Sequence, residues 1–182
     1  MPILKKETDV FPEKLLDEIT RFESAWLFSL LSRREKEFMR RLLAKNIAFY
    51  GPTLEKRFRS PNGRFRTSYS PLFPNYVFVF GSEEDRYEAM TTNCVSKYSP
   101  ITDLEQLQKD LQQIQFVLNS GVAITAEEKL EPGDPVYVKN GPFKGFEGEV
   151  IRREGQTRLL VFVHFIEQGV SMEIDQAQLE SR

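Results

Sequence analysis

Clustered cations are the most prominent chemical feature of this sequence, and they predict binding to a polyanion. The first cluster consists of Arg33, Arg34, Lys36, Arg40 and Arg41. The second consists of Lys56, Arg57, Arg59, Arg64 and Arg66. Residues 25–76 hold 11 basic and 3 acidic side chains, so the overall net charge of −2 hides a strongly basic segment. A local positive field steers polyanions toward such a segment, although a solvated face without a ligand remains an alternative.

Side chains suited to covalent or metal chemistry are scarce. Cys94 is the single cysteine and His164 the single histidine, which leaves no partner for a disulfide, a zinc site or a Cys–His nucleophile. Phosphate-binding and dinucleotide-binding glycine motifs do not occur. We therefore expect a protein that is not an enzyme, with no catalytic residue, metal or cofactor. With no apolar run long enough to span a bilayer, we expect a cytoplasmic monomer without membrane contact.

The first cation cluster is predicted to lie on a helix that follows a strand. Alternating side chains from Trp26 to Leu31 predict the strand. Ser32 and Glu35 have the spacing of a capping box at the start of the helix. Apolar residues at helical spacing then form one face, which directs the cations away from the core. The second cluster flanks Asn62–Gly63, the strongest short signal for a β-hairpin.

Further elements complete a mixed α+β first domain. Val77–Phe80 predicts a buried strand, residues 83–90 a short helix, and residues 94–98 another strand. A longer helix begins at Asp103 and ends at Asn119–Ser120–Gly121. Residues 122–130 have little periodicity, which predicts a linker. The predicted organisation is an N-terminal extension (1–24), a first domain (25–121), a linker (122–130) and a C-terminal domain (131–182).

The last fifty residues combine short alternating strands with closely spaced glycines. Val136 and Val138 predict one strand, Glu149–Ile151 begins a second, and Leu159–Ile166 forms a third. Turns between them contain Gly141, Gly145 and Gly148. Short strands without a helix signal predict a small closed β-barrel.

This C-terminal pattern resembles the KOW motif of NusG-type transcription factors and some ribosomal proteins. The resemblance depends on Gly133–Asp134, on Gly141-Pro142-Phe143-Lys144-Gly145, and on Glu147–Gly148. It widens upstream, because Phe73-Pro74-Asn75-Tyr76-Val77 resembles a segment of the NGN domain. The chain thus resembles the NusG family (NGN plus KOW domains). The implied fold is an NGN-type antiparallel sheet with flanking helices, followed by a small SH3-like KOW β-barrel.

Two details favour the specialised antiterminators of the RfaH, LoaP and UpxY type. These are Thr91-Thr92-Asn93-Cys94-Val95 and the apolar run Leu159–Phe165. A housekeeping NusG remains an alternative. The resemblance implies a transcription elongation and antitermination factor that binds the RNA polymerase clamp, suppresses pausing and termination, and recruits a partner such as the ribosome.

The resemblance also assigns candidate residues. Polymerase-binding candidates are Trp26, Phe28, Phe73, Pro74 and Tyr76, of which the strand residues Trp26 and Phe28 could equally be core. Candidates for contact with non-template DNA at the elongation bubble are Arg33, Arg34, Lys36, Arg40 and Arg41. The barrel candidates, facing a small-subunit ribosomal protein or Rho, are Phe143, Phe146, Phe162 and Phe165. A ribosome-associated or RNA-binding KOW protein is the alternative function, although residues 77–182 are acidic, with 10 basic and 18 acidic side chains.

Overall fold

Residues 5–127 and 133–182 are described by the computed structural model, and internal contacts divide the chain into two units, Met1–Leu104 and Glu105–Arg182. Helices and antiparallel sheets occur together, which confirms the predicted α+β class. The strands of the first unit are β1 (Val10–Phe11), β2 (Ser24–Leu30), β3 (Ala48–Tyr50), β4 (Thr53–Arg59), β5 (Phe65–Pro71), β6 (Tyr76–Gly81) and β7 (Val95–Ile101). Its helices are α1 (Leu15–Glu18), α2 (Glu35–Ala44) and α3 (Glu83–Met90).

The first unit is built on an antiparallel sheet of five strands among the residues described, in the order β1-β3-β6-β2-β7. Strand β2 lies between β6 and β7, so it is hydrogen-bonded along both edges. Helix α2 covers one face of the sheet through Phe38, Met39 and Leu42, all buried. The ring centroids of Phe28 and Phe38 lie 5.6 Å apart where this helix meets the sheet. Burial of these apolar side chains is the main stabilising contribution to the unit.

The predicted N-terminal extension, 1–24, is corrected by the structure. Strand β1 pairs with β3, and Leu15 and Ile19 are fully buried. Their side chains therefore belong to the core of the first unit. The sequence did not reveal this, because the strand that β1 pairs with is distant in sequence.

The start of helix α2 also differs from the prediction. Arg34 occupies the N-cap position without a side-chain cap, so the capping box expected from Ser32 and Glu35 does not form. Helix α3 begins with the capping box instead: the Ser82 hydroxyl accepts from the Asp85 amide, and the Asp85 carboxylate accepts from the Ser82 amide.

Strands β4 and β5 form the predicted hairpin, a separate two-stranded ribbon. Its tip is closed by the Ser60 amide, which donates to the Arg64 carbonyl, and by the Gly63 amide, which donates to the Ser60 carbonyl. Gly63 has a φ of 75°, the left-handed conformation that the Asn-Gly pair predicts.

The second unit combines one helix with a β-rich module. The elements are α4 (Leu104–Asn119), β8 (Ile124–Glu127), β9 (Asp134–Val138), β10 (Glu147–Arg153), β11 (Gln156–Val163), β12 (Gln168–Glu173) and β13 (Leu179–Ser181). In the described part of the chain, six strands form the C-terminal sheet (β8–β13), in the order β13-β9-β10-β11-β12-β8. Every pairing in it is antiparallel.

The predicted linker, 122–130, is corrected where the structure describes it, while residues 128–132 lie outside the described residues. Ile124–Glu127 forms β8 and pairs with β12. An edge strand is held through backbone hydrogen bonds, which need no side-chain periodicity. Helix α4 lies with the second unit, whereas the sequence analysis placed it in the first domain.

Candidate functional site

The aromatic candidates for polymerase binding fall into two classes of exposure. Trp26 and Phe28 point into the core of the first unit, at 3% and 0% exposed. Phe73 is also buried and meets the Phe78 ring edge-on, with centroids 6.2 Å apart. A side chain without surface cannot anchor a partner, so the prediction for Trp26, Phe28 and Phe73 is corrected: they are core residues. Pro74 and Tyr76 keep part of their surface.

A tight turn presents Pro74 and Tyr76 at the entrance to β6. The Tyr76 amide donates to the Phe73 carbonyl, and Asn75 adopts a φ of 66° between them. The Asn75 amide donates to Oε1 of Glu35 at 2.8 Å, and the Leu30 amide donates to the Asn75 carbonyl. Glu35 is buried, so its carboxylate fixes the turn from helix α2. Its role could not be read from the sequence, since its spacing from Ser32 matched a capping box.

The first cation cluster is partly neutralised by neighbouring carboxylates. Glu37 pairs with Arg34 and, at 2.7 Å, with Arg41, while Arg40 pairs with Glu7 at 3.0 Å. Hydrogen bonds from Arg34 and then Arg41 lower the pKa of Glu37, which keeps this carboxylate ionised. Arg33 is exposed and Lys36 half-buried. Phosphate binding by Arg34 or Arg41 therefore has to compete with Glu37, and contact with DNA stays a prediction.

The glycine-rich turns of the C-terminal sheet have conformations that side chains disfavour. Gly141 and Gly145 adopt φ values of 85° and 88°, in the left-handed region. Gly148 lies in β10, where a Cβ would collide with the Leu160 carbonyl oxygen of the neighbouring strand. Gly141 and Gly145 are thus suited to the left-handed conformations of the turn, and Gly148 permits the close approach of β10 and β11.

Helix α4 covers half of the aromatic residues that the sequence analysis assigned to partner binding. Phe116 meets Phe143 and Phe146 with ring centroids 5.9 and 5.3 Å away. Phe143 is buried and Phe146 half-buried. In this arrangement Phe143 lacks the surface for a partner, which corrects its assignment. Phe162 is half-buried, with its ring 4.6 Å from the His164 ring, whereas Phe165 is 44% exposed.

Three polar side chains of helix α4 bind the C-terminal sheet. Asp110 accepts from the backbone amide of His164 at 2.9 Å, and Oδ2 lies 2.9 Å from the ring Nδ1. The Gln113 amide pairs with both backbone groups of Glu147, accepting from its N–H at 3.0 Å and donating to its C=O at 3.4 Å. Lys109 forms an ion pair with the Glu147 carboxylate at 2.9 Å. Asp110 and Gln113 are buried together with the apolar side chains of the helix. Their polar character and their distant partners meant that apolar periodicity did not indicate them.

Neighbouring charged groups shift the pKa of Glu147. The hydrogen bond from Lys109 is the main cause of a lowered pKa of Glu147, and partial burial opposes it. The surrounding cleft of about 120 Å³ is lined by both signs of charge, including Lys109, Glu147 and Arg182.

Residues 5–127 and 133–182 contain no group of three or more His, Cys, Asp and Glu side chains arranged to hold a metal ion. No helix in this part of the chain is both long and apolar enough to cross a bilayer.

Comparison with known proteins identifies the class of the C-terminal module. Residues 132–164 match the KOW motif. The match lies within the second unit and confirms the KOW resemblance that its glycine turns and strands indicated. We refer to this unit as the KOW module. No curated protein matches the chain. A solved MjSpt4:Spt5 complex (conformation B) resembles it at 18% identity over 87% of this chain and 97% of that chain, with a TM-score of 0.29.

Proposed function

We propose that this chain is a transcription elongation factor of the NusG type, in which the first unit acts as an NGN domain. The observation that carries the proposal is the KOW motif at residues 132–164, downstream of an α+β unit with a Phe-Pro-Asn-Tyr turn before β6. Its action is binding rather than catalysis.

The first unit binds the clamp of RNA polymerase and holds it closed over DNA. A factor that binds the closed clamp better than the open one shifts that equilibrium by its differential affinity. A tenfold preference corresponds to about 1.4 kcal/mol. Opened, paused states are then disfavoured, so pausing and termination are suppressed, as in antiterminators of the RfaH, LoaP and UpxY type.

Pro74 and Tyr76 form the polymerase contact in this proposal. Both are partly exposed, and both are held by the turn that Glu35 fixes. Partly exposed aromatic side chains on a rigid support are suited to become interface hot spots. Arg33 and its neighbours face non-template DNA, with contacts that are sequence-independent and weakened by salt.

The KOW module recruits a second machine, a small-subunit ribosomal protein or Rho. Phe165 is the exposed aromatic anchor of the proposed partner surface. Phe162 and Phe146 extend that surface when the partner displaces the groups that half-cover them.

Copurification with core RNA polymerase tests the proposal. The full chain is expected to bind core enzyme from purified components, and the Tyr76→Ala variant to bind it about 1–3 kcal/mol more weakly. Tyr87→Ala, an exposed aromatic on helix α3, serves as the matched control and should bind as the parent does. Binding to ribosomal subunits without binding to polymerase would instead establish the alternative of a ribosome-associated KOW protein.

A further inference from the structure

The basic ribbon, formed by strands β4 and β5 with their turn, has an unusual distribution of aromatic side chains. Phe65 is 78% exposed and Phe58 is 48% exposed, both close to the tip. Leaving two Phe rings exposed costs hydrophobic free energy, roughly 25 cal/mol for each Å² left in water. Neither ring contributes to the core, so folding gives no reason for a Phe at these positions.

Cations accompany the rings on both faces of the ribbon. Directly opposed residues of an antiparallel pair share a face, and the register pairs Arg59 with Phe65 and Phe58 with Arg66. Each face near the tip therefore carries one ring beside one guanidinium. The Arg59 guanidinium lies 5.7 Å from the centroid of the Phe65 ring, and its Nε donates to the Gly63 carbonyl. This cation is thus held beside the most exposed ring.

The remaining charges make the ribbon strongly positive. It carries five cations and one anion, and that anion, Glu55, pairs with Arg57 at 3.0 Å. Within the described residues, Lys56, Arg64 and Arg66 form no ion pair with a carboxylate. Two seven-residue strands extend about 24 Å at roughly 3.4 Å per residue, so the positive charge is spread along a line rather than gathered at a point.

We propose that the basic ribbon binds single-stranded nucleic acid, with Phe65 and Phe58 stacking on unpaired bases while the arginines contact phosphates. Exposed aromatic rings interleaved with cations match the two parts of a nucleotide, a flat base and an anionic phosphate. In a duplex the faces of the bases are stacked on one another. A duplex would therefore contact the arginines of the ribbon and leave the Phe58 and Phe65 rings in water. This binding site is separate from the polymerase contact and from the cluster at the start of helix α2.

A binding experiment on the full chain tests the ribbon directly. Fluorescence anisotropy would compare oligonucleotides of about twelve nucleotides, within the site sizes of single-strand-binding domains. The probes are oligodeoxyuridine, oligouridine and a duplex of the same length. We expect Phe65→Ala to weaken single-strand binding about five- to 150-fold, the equivalent of one stacked base. Duplex affinity should be almost unchanged, and Phe65→Trp should restore single-strand binding.

A charge variant and two controls separate stacking from electrostatics. Replacing Arg64 and Arg66 by Gln should weaken both kinds of probe, because fewer phosphates are neutralised. The salt slope for single strands should fall by about 0.7 for each phosphate that the variant leaves unneutralised. Tyr87→Ala and Arg21→Gln remove an exposed ring and an exposed cation outside the ribbon, and should have little effect.

The outcomes decide the proposal. If the parent chain does not bind single strands, or if Phe65→Ala weakens single-strand and duplex binding equally or not at all, the proposal is wrong. Unfolding of each variant by urea would be followed in parallel, because a ring as exposed as Phe65 should be removable without loss of stability. If the chain binds oligouridine and oligodeoxyuridine with different affinities, the preferred probe identifies whether the ribbon binds RNA or DNA. An equal loss of affinity for both probes in Phe65→Ala supports base stacking.

Discussion

The carboxylate of Asp110 on helix α4 lies 2.9 Å from both the backbone nitrogen and the ring Nδ1 of His164, which follows strand β11. Gln106 donates to the same carboxylate at 2.7 Å. Asp110 is 2% exposed, so its oxygens are hydrogen-bonded by these groups rather than by bulk water. These hydrogen bonds fix helix α4 to the C-terminal sheet at one defined register.

Replacing Asp110 by Ala should destabilise the second unit by about 1–3 kcal/mol, because the partly buried hydrogen bond from the His164 amide loses its acceptor. Urea unfolding measures the loss, and hydrogen exchange at the His164 amide reports it locally. His164→Ala keeps the backbone donor, so it should cost less. Glu105→Gln changes an exposed carboxylate on the same helix and serves as control. Equal stability of the parent and Asp110→Ala would show that these hydrogen bonds contribute nothing.

Removing the Phe116 side chain should uncover Phe143 and Phe146. The two aromatic pairs are each worth about 0.5–1.5 kcal/mol beyond area burial, so Phe116→Ala should lower the free energy of unfolding. It should also raise binding of a hydrophobic dye. If the covered rings form part of the recruiting surface, the same variant should bind its ribosomal or Rho partner more tightly. Tyr137→Ala, a partly exposed ring in β9, is the comparison.

Acidification should weaken the attachment of helix α4 through Glu147. Lys109 lowers the pKa of this carboxyl below its ordinary value of 4.5. A depressed folded-state pKa gives stability that is complete above the unfolded-state value and is lost as pH falls through the folded-state value. The unfolding free energy should therefore drop below about pH 4.5, and by less in Glu147→Gln than in the parent. Parallel pH profiles for the two proteins would contradict this assignment.

Substitutions at Phe73 and Tyr76 should have different effects, the first on folding stability and the second on polymerase binding. Phe73→Ala removes a buried ring and should cost about 3–5 kcal/mol of folding free energy. Tyr76→Ala removes a half-exposed ring, so folding should change far less while polymerase binding falls. Thermal unfolding and a core-enzyme binding assay on both variants make the comparison. A stable Phe73→Ala variant that no longer binds polymerase would reverse the roles assigned here.

Glu35 should control the turn that presents Tyr76. Glu35→Ala leaves the Asn75 amide without its acceptor, at an expected cost of about 1–3 kcal/mol. Glu35→Gln keeps an acceptor oxygen and should retain most of the stability. Hydrogen exchange at Asn75 would follow the loss directly, and unchanged protection in Glu35→Ala would exclude this role.

Local signals in the sequence predicted most elements of the first unit. Helix α3 has the predicted bounds, Glu83–Met90, and the Asn62–Gly63 turn lies at the predicted hairpin tip. Turn chemistry and helical spacing depend on neighbours in the chain, so a sequence reveals them. Strand β2 is different, because whether Trp26 is core or surface depends on strands and a helix distant in sequence.

The candidate sites were predicted less well for the same reason. Phe73 precedes strand β6, a position where a side chain is often exposed. It is nevertheless buried against Phe78. The partners of Asp110 and Gln113 lie 54 and 34 positions away, and no local pattern indicates such pairings. Glu37, by contrast, lies within one turn of Arg34 and Arg41, so the neutralisation of that cluster could have been read from i,i+3 and i,i+4 spacing.

Strand β8 determines where the KOW module can be cut from the chain. It covers the backbone of Gly169–Met172, and its Glu127 accepts from the Ser171 hydroxyl at 2.6 Å. A fragment beginning after residue 127 would expose β12, whose Val170 and Met172 are now buried, as a bare apolar edge. Such an edge can pair with a strand from another copy of the fragment. The fragment would then self-associate because of the cut, and this self-association could be misread as a property of the intact module. A fragment meant to fold on its own should therefore begin at Glu105, so that it keeps helix α4 and the edge strand β8.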